Sequence, residues 1–486
     1  MKFKRNLLSS SIAIAISGNA MPVLAEEDQG EQALLEEIVV TGIRGSLKRS
    51  MDIKRDAMGV VDAISAEELG KFPDANLAES LQRITGVSIS RERGEGSQVT
   101  VRGFGPEYNL VTLNGRQMPT HFGTARSFDF GDLASEGVAG VQVYKTGRAD
   151  IPSGGVGSTI NISTPRPLEG EETASIAVKM VRDTSTRRGD DVTPEFSGIY
   201  LDRFADDTIG IAITATNQTR NNGVNGASTG GWFTRAGDGF NGVSASGAEL
   251  FGDVVVNDAS QVNRPQDRTS TYSIPQSMAY NIAEYETERT NGQVVLQWAP
   301  TDTVTATVDY IYSEFLLERS YNDMSAWFSN VSAVSQTSEW TSEANASPVF
   351  YTEAVNYADF AMGSGEDGRL NENNSIALNI EWQVTDDLVL EVDYHDSSAE
   401  TGANGPNGTS SLITIANFNK VGQTIVTGFD MPVMLLDLNS GGEADRPMYA
   451  NDMIITGSVF SNDASRMEIE QARASGTWDI SDNSSI

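Results

Sequence analysis

The chain has 486 residues, with 67 acidic against 34 basic side chains and a formal charge of −33. That balance repels phosphate backbones and excludes nucleic-acid binding as a main role. Cysteine is absent and only two histidines occur, His121 and His395, which excludes thiol nucleophiles, disulfides, cysteine-ligated zinc and multi-histidine metal centres.

Lys2, Lys4 and Arg5 precede an apolar run from Leu7 to Ile16, and Val23-Leu24-Ala25 offers a small-residue cleavage site before Glu26. This order predicts a secretory signal peptide over residues 1–25, cut near Ala25. The run is shorter than the roughly 20 apolar residues of a membrane-spanning helix. Residues 26–36 are acidic and aperiodic and read as a flexible lead.

From Glu36 to about Pro167 the pattern is mixed. Ser65 to Glu68 has the serine–glutamate spacing of a capping box, which predicts a helix start. A second helix is predicted after Asp74, with Leu77, Leu81 and Ile84 on one face, ending at Gly86. Short strands are predicted at Val87–Ser90, Val99–Arg102, Leu110–Leu113 and Val138–Tyr144, with a tight turn at Asn114-Gly115. These elements describe one α+β domain of about 130 residues.

Beyond Pro167 strict alternation takes over. Val304, Ala306, Val308, Tyr310 and Tyr312 alternate with Thr303, Thr305, Thr307 and Asp309. Ile209–Ala215, Ile376–Trp382 and Leu388–Tyr394 repeat the pattern, with polar residues on the opposite face. Short acidic turns stand at Ala205–Asp207, Pro300–Asp302, Thr385–Asp387 and Ser481–Asn483. Between them lie polar stretches of about 50 to 65 residues, centred on 221–284, 321–370 and 401–465, too long for loops of a compact soluble domain. Tight turns on one side and long loops on the other predict a transmembrane barrel. Trp298, Trp382 and Trp478 each stand four residues before a turn aspartate, the spacing of an aromatic girdle at a membrane interface.

At this point the residues resemble a known family, the TonB-dependent outer-membrane receptors. Glu37 to Gly42 resembles their energy-coupling box, Asn76–Gly86 the plug helix, and Val99–Phe104 the plug's Arg-Gly strand. Leu110–Pro119 resembles the next strand-turn, although Asn114-Gly115 stands where the family often has Asp-Gly, and Val138–Thr164 resembles the final plug segment. The resemblance implies a signal peptide (1–25), a flexible lead (26–36), a coupling box (37–42), a plug (43–167) and a partial barrel with long extracellular loops (168–486). The wording of Gly42–Ser50 and Arg91–Gln98 is similar to a large proteobacterial branch often associated with oligosaccharide uptake.

About eight strands are legible. Closed on themselves they would give a barrel roughly 16 Å across, too narrow for a plug above roughly 30 Å, whereas some 22 strands would give roughly 44 Å. The chain is therefore expected to be the N-terminal part of a longer protein.

The expected function is active uptake of a scarce solute, an oligosaccharide first, with an iron chelate or a passive porin as alternatives. The expected partners are a TonB-type periplasmic protein with its proton-driven inner-membrane complex, the extracellular solute and outer-membrane lipid. Strand addition at Ile38, Val39, Val40 and Thr41 would couple the plug to that partner. Trp232, Phe233, Trp327 and Trp340 are candidate solute contacts, or anchors between loops. Gly226 to Gly230 has nucleophile-elbow spacing but lies in an Asn/Gly-rich stretch, and no catalytic role is assigned. Neither a cofactor nor a metal site is expected, and both histidines read as plain polar residues.

Overall fold

The computed structural model describes residues 48, 50–65, 76–121, 127–133, 135–237, 261–267, 269–328, 336–440, 443–444, 448–481 and 484–485. The segments predicted as signal peptide, lead and coupling box, most of the predicted capping box and part of the last acidic turn lie outside these residues. Of the box, Ser65 ends a strand.

The first domain follows a helix over 50–56. It comprises β1 (Val61–Ser65), α1 (Leu77–Leu81), β2 (Val87–Glu92), β3 (Glu95–Val101), β4 (Asn109–Leu113), β5 (Arg116–Gln117), β6 (Gly140–Tyr144) and β7 (Ser158–Ser163). One sheet runs β1-β6-β7-β4-β5, with β4 and β7 parallel, and β2–β3 form a separate hairpin. α1 is shorter than the sequence predicts. Asn76 caps it, its Oδ1 accepting from the backbone N–H groups of Ala78 (3.1 Å) and Glu79 (3.4 Å), and left-handed Gly86 follows five residues after its end. Leu77, Leu81 and Ile84 are buried together with Val99, Val101, Val141, Val143, Ile160 and Ile162. The spacings of four and three in the sequence thus do mark the core face. Asn114 and Gly115 both have positive φ, 52° and 79°, the backbone of a two-residue hairpin turn.

The second part is a largely antiparallel wall. Its strands are β8 (Thr173–Arg182), β9 (Val192–Phe204), β10 (Ile209–Ala236), β11 (Gln261–Val262), β12 (Thr271–Thr301), β13 (Val304–Trp327), β14 (Gln336–Trp340), β15 (Asn345–Ala346) and β16 (Pro348–Thr385). They continue with β17 (Leu388–Ala403), β18 (Ser410–Val426), β19 (Val433–Ser440), β20 (Glu443–Ala444), β21 (Ile454–Ser461), β22 (Ser465–Ser481) and β23 (Ser484–Ser485). The main path is β8-β9-β10-β12-β13-β16. β17 then pairs with the C-terminal half of β16 and β18 with its N-terminal half. β22 pairs with β17, while β21 and β19 pair with β18.

Face assignment follows the predicted alternation. Ile213, Val294, Leu296, Val308, Ile376, Leu378, Ile380 and Val392 are exposed on one face, while Thr214, Gln293, Thr307, Asp309, Ser375 and Asp393 are buried on the other, against the plug. An outward apolar and inward polar wall is the inverse of a soluble sandwich and fits a lipid-facing barrel.

The long polar stretches differ from expectation. Much of 221–284, 321–370 and 401–465 is strand, not loop: β10, β12, β13 and β16 run 28, 31, 24 and 38 residues. Alternation disappears from the sequence in these stretches, but the backbone still pairs across strands because N–H and C=O groups need partners regardless of side chain. Gly226–Gly230 lies inside β10, directly paired with β12. Further along β12, on the face opposite Arg289 and Gln293, Tyr272, Ile274 and Met278 join Trp340, Tyr351, Ile425 and Met434 in a second apolar cluster.

Candidate functional site

The site with the most built-in chemistry is the junction of plug and wall. The Asn114-Gly115 turn delivers Arg116, 3% exposed, into the wall. Its Nη1 donates to both carboxylate oxygens of Asp309 on β13 at 2.8 Å. Its Nε donates to both oxygens of Asp393 on β17 at 3.0 Å, and its Nη2 to Asp393 at 2.8 Å. One planar guanidinium thus holds two barrel strands, the bidentate geometry that makes arginine suited to carboxylates.

A second junction has the opposite polarity. Glu95 on β3 receives Nη2 of Arg289 (β12) at 2.7 Å and Nη1 of Arg220 (β10) at 2.6 Å. Arg220 also reaches Glu195 on β9 at 2.6 Å, and Arg289 donates to Gln218 at 2.5 Å and to the Gly131 carbonyl. Burial alone would push the Glu95 carboxyl up, but Arg289 and Arg220 outweigh it and hold it below the usual carboxylate range.

The third junction is the single 3-10 turn Phe130–Asp132, capped by Asp129. The Asp132 carbonyl accepts from Asn291 Nδ2 (2.9 Å) and Ser313 Oγ (2.6 Å). Its carboxylate accepts from Asn373 (3.2 Å) and Asn371 (3.5 Å) on β16 and lies 3.0 Å from His121 Nδ1. Burial and neighbouring Asp132 push the Asp129 carboxyl up to about 6. Burial also disfavours protonation of His121, yet Asp132 outweighs this and raises its pKa.

His121 is therefore not the plain polar loop residue that the sequence implies: it is buried beside two aspartates. His395 is a buried inward residue hydrogen-bonded to Ser397 (3.0 Å) and Gln471 (3.1 Å). The sequence gives no pairing for Arg116, Glu95 or Arg289. Its one visible signal is charge at inward wall positions, Asp309 and Asp393, inside otherwise apolar alternation.

Trp298, Trp382 and Trp478 stand on the outward face, 53%, 48% and 56% exposed. Trp298 pairs with Ile209 and Ala306, Trp382 with Val304 and Leu390, and Trp478 with Leu388, all beside the short turns. Trp232 pairs with Pro275 and Trp327 with Ser277. Positions 275 and 277 share a face of β12, and by unbroken register it is the face that carries Arg289 and Gln293 toward the plug. Both indoles are exposed, and Phe233 stands on the opposite face. Trp340 is different: 2% exposed, it packs edge-on to Tyr272 at 5.1 Å and to Tyr351 at 6.3 Å. A ring already covered by two others is an anchor between segments, not a free solute contact. Ile38–Thr41 lie outside the described residues.

Residues 53–159 match the TonB-dependent Receptor Plug Domain family. The chain is 29% identical over 212 residues to the ferric enterobactin receptor PirA of Pseudomonas aeruginosa, covering 38% of this chain and 28% of that one. It is 24% identical over 177 residues to the probable TonB-dependent siderophore receptor PirA of Acinetobacter baumannii, covering 33% and 23%. The chain spans less than a third of the length of these curated relatives. Among solved structures it is similar to the outer membrane transporter YddB from Escherichia coli, at 10% identity over 86% of this chain and 59% of that chain, with a TM-score of 0.36. Residues 53–159 are thus a TonB-dependent receptor plug domain, followed in the chain by an antiparallel strand wall, the order that the curated similarity to TonB-dependent outer-membrane receptors also implies.

Proposed function

We propose that the protein imports an extracellular ferric siderophore across the outer membrane by TonB-coupled active transport. The observation that carries this reading is the 212-residue similarity to a ferric enterobactin receptor, which is longer than the plug match. The structure supports the transport half. Among the described residues the plug's apolar cluster takes in a single wall side chain, Ile311. The junctions to the wall are hydrogen bonds and ion pairs, which water can replace when the plug shifts, whereas apolar burial would resist separation. A periplasmic partner pairing with Ile38–Thr41 would apply the pull, with energy from the inner-membrane proton gradient.

The oligosaccharide preference drawn from the plug's wording has no counterpart in these relatives' names. The exposed Trp232 and Trp327, on one face above the plug, are the observation that keeps a sugar as the second reading, because indole faces stack on apolar sugar faces. A deletion strain complemented with the full-length receptor separates the two. Radio-iron-labelled siderophores are expected to accumulate, and a proton uncoupler is expected to abolish accumulation while leaving surface binding intact. Accumulation of labelled oligosaccharides without iron uptake would overturn the siderophore assignment, and uncoupler-insensitive uptake would overturn the coupling.

A further inference from the structure

We infer that His121, Asp129 and Asp132 of the plug, completed by Asn371 of β16, form a binding site for one divalent first-row transition cation at the plug–wall junction. Each of the three plug side chains is buried and offers one ligand atom, and these atoms all lie within 4.8 Å of one another. An imidazole nitrogen beside two carboxylates is a mixed N/O donor set that suits zinc and its neighbours, whereas calcium prefers oxygen alone. Two carboxylates and a neutral imidazole supply a charge of −2, which a divalent cation cancels.

The wall adds an independent observation. Asn371 is 8% exposed, and its Oδ1 is buried without a hydrogen-bond partner. The same amide places Nδ2 3.3 Å from His121 Nε2 and 3.5 Å from Asp132 Oδ1. Amide oxygen and nitrogen are interchangeable by a flip. Turned over around a bound cation, Asn371 points a fourth, oxygen ligand at the cluster, its now orphaned acceptor gaining the metal as partner in exchange for the Nδ2 contacts to His121 and Asp132. A cavity of about 420 Å³ lined by His121, Asp129, Arg369 and Asn371 gives the cluster an approach. Arg369, exposed at its wall, is the local cation that a bound metal has to tolerate.

Held this way, the cation ties the turn at residues 129–132 and the loop at His121 to strand β16, a second class of plug–wall link beside the ion pairs. The inference does not depend on which solute is carried.

The test uses the purified full-length receptor in detergent, stripped with a chelator and titrated calorimetrically with zinc(II) alone. One saturable equivalent is expected, together with an X-ray absorption spectrum of N/O ligands that includes imidazole. Calcium is expected not to compete. His121→Gln should lower zinc affinity by more than about 100-fold, and Asn371→Ala by about 10-fold. Asp132 also docks the plug, so Asp129→Asn, which alters no contact to the wall, is the variant that separates ligation from folding, and it should weaken zinc binding while leaving the circular dichroism unchanged. Absence of saturable zinc binding, or zinc binding with an imidazole signature that survives His121→Gln, would overturn the site and leave the siderophore reading untouched.

Discussion

Arg116 carries the strongest single-residue consequence. Its side chain is the counter-ion of two buried carboxylates, 193 and 277 residues away in sequence. Removing one partner of a buried ionic cluster leaves unpaired charge, typically at about 3–5 kcal/mol, while the intact cluster adds less than that to stability because its desolvation is already paid. Arg116→Ala is therefore expected to loosen plug docking severely, read as faster proteolysis of the plug in outer-membrane vesicles. Arg116→Lys keeps the charge but loses the fork and should fall between. Glu95 makes a pH-dependent prediction. Its carboxyl is held below its ordinary value of 4.5, so its contribution is present above that pH and is lost as pH falls through the depressed value. Plug protection should decline on acidification below about 4.5, and Glu95→Gln should flatten that decline while lowering protection at neutral pH. None of these pairings is legible in the sequence, because each joins residues whose proximity exists only after plug and wall assemble. The Asn114-Gly115 turn that aims Arg116 is legible, since two consecutive left-handed residues demand that dipeptide.

At the level of elements, the wall's two faces define the next measurement. Leu378 lies four residues from Trp382, opposite Val308 and Tyr394 on the outward face. Leu390 pairs with Trp382 itself and so stands at the tryptophan level, nearer the membrane interface. Leu378→Arg should cost about 2–4 kcal/mol, the midplane value for a basic residue facing lipid. Glu381, on the inward face, is paired directly with Glu391. Like charges opposite each other destabilise a sheet, so Glu381→Arg should be neutral or stabilising. Folding titrations of both variants into lipid vesicles check this, and equal costs would mean that the faces are reversed. The wall was readable wherever lipid on one side and water on the other imposed a period of two, as in Val304–Tyr312 and Ile376–Trp382. It was unreadable further along the strands, where β10 through Ala236 and β16 from Pro348 mix polar and apolar residues without a period of two while the backbone pairing continues. The cluster around Trp340 was unreadable for another reason: Tyr272, Tyr351 and Ile425 come from three strands, and no local spacing marks them as neighbours.

For the whole molecule, the order of the plug sheet decides how a pull would act. Tension on Ile38–Thr41 passes through the helix over 50–56 and reaches β1 first. β1 is the edge of the plug sheet and is held by a single five-residue ladder to β6, from Val61–Tyr144 to Ser65–Gly140, with Asp62 bonded to Lys145. An edge strand can leave without breaking the rest of the sheet, whereas β6, β7 and β4 each have two neighbours. These 486 residues contain no cysteine, and Ala63 and Gln142 are direct partners across that ladder, so an engineered pair there meets no competing thiol in the plug. A disulfide engineered as Ala63→Cys with Gln142→Cys should block accumulation when oxidised and restore it when reduced, with solute binding unchanged throughout. The proposed coupling segment is tested by its backbone. Strand addition uses main-chain N–H and C=O groups, so what matters at Val40 is the ability to stay extended and to donate. Proline fixes φ near −65° and removes the donor. Val40→Pro in the full-length receptor should abolish accumulation of labelled siderophore while leaving binding at low temperature intact, and Val40→Ala should retain most uptake. If Val40→Pro accumulates solute as well as the parent, residues 38–41 are not where the partner pairs; if the oxidised disulfide also transports normally, release of β1 is not part of the transport cycle.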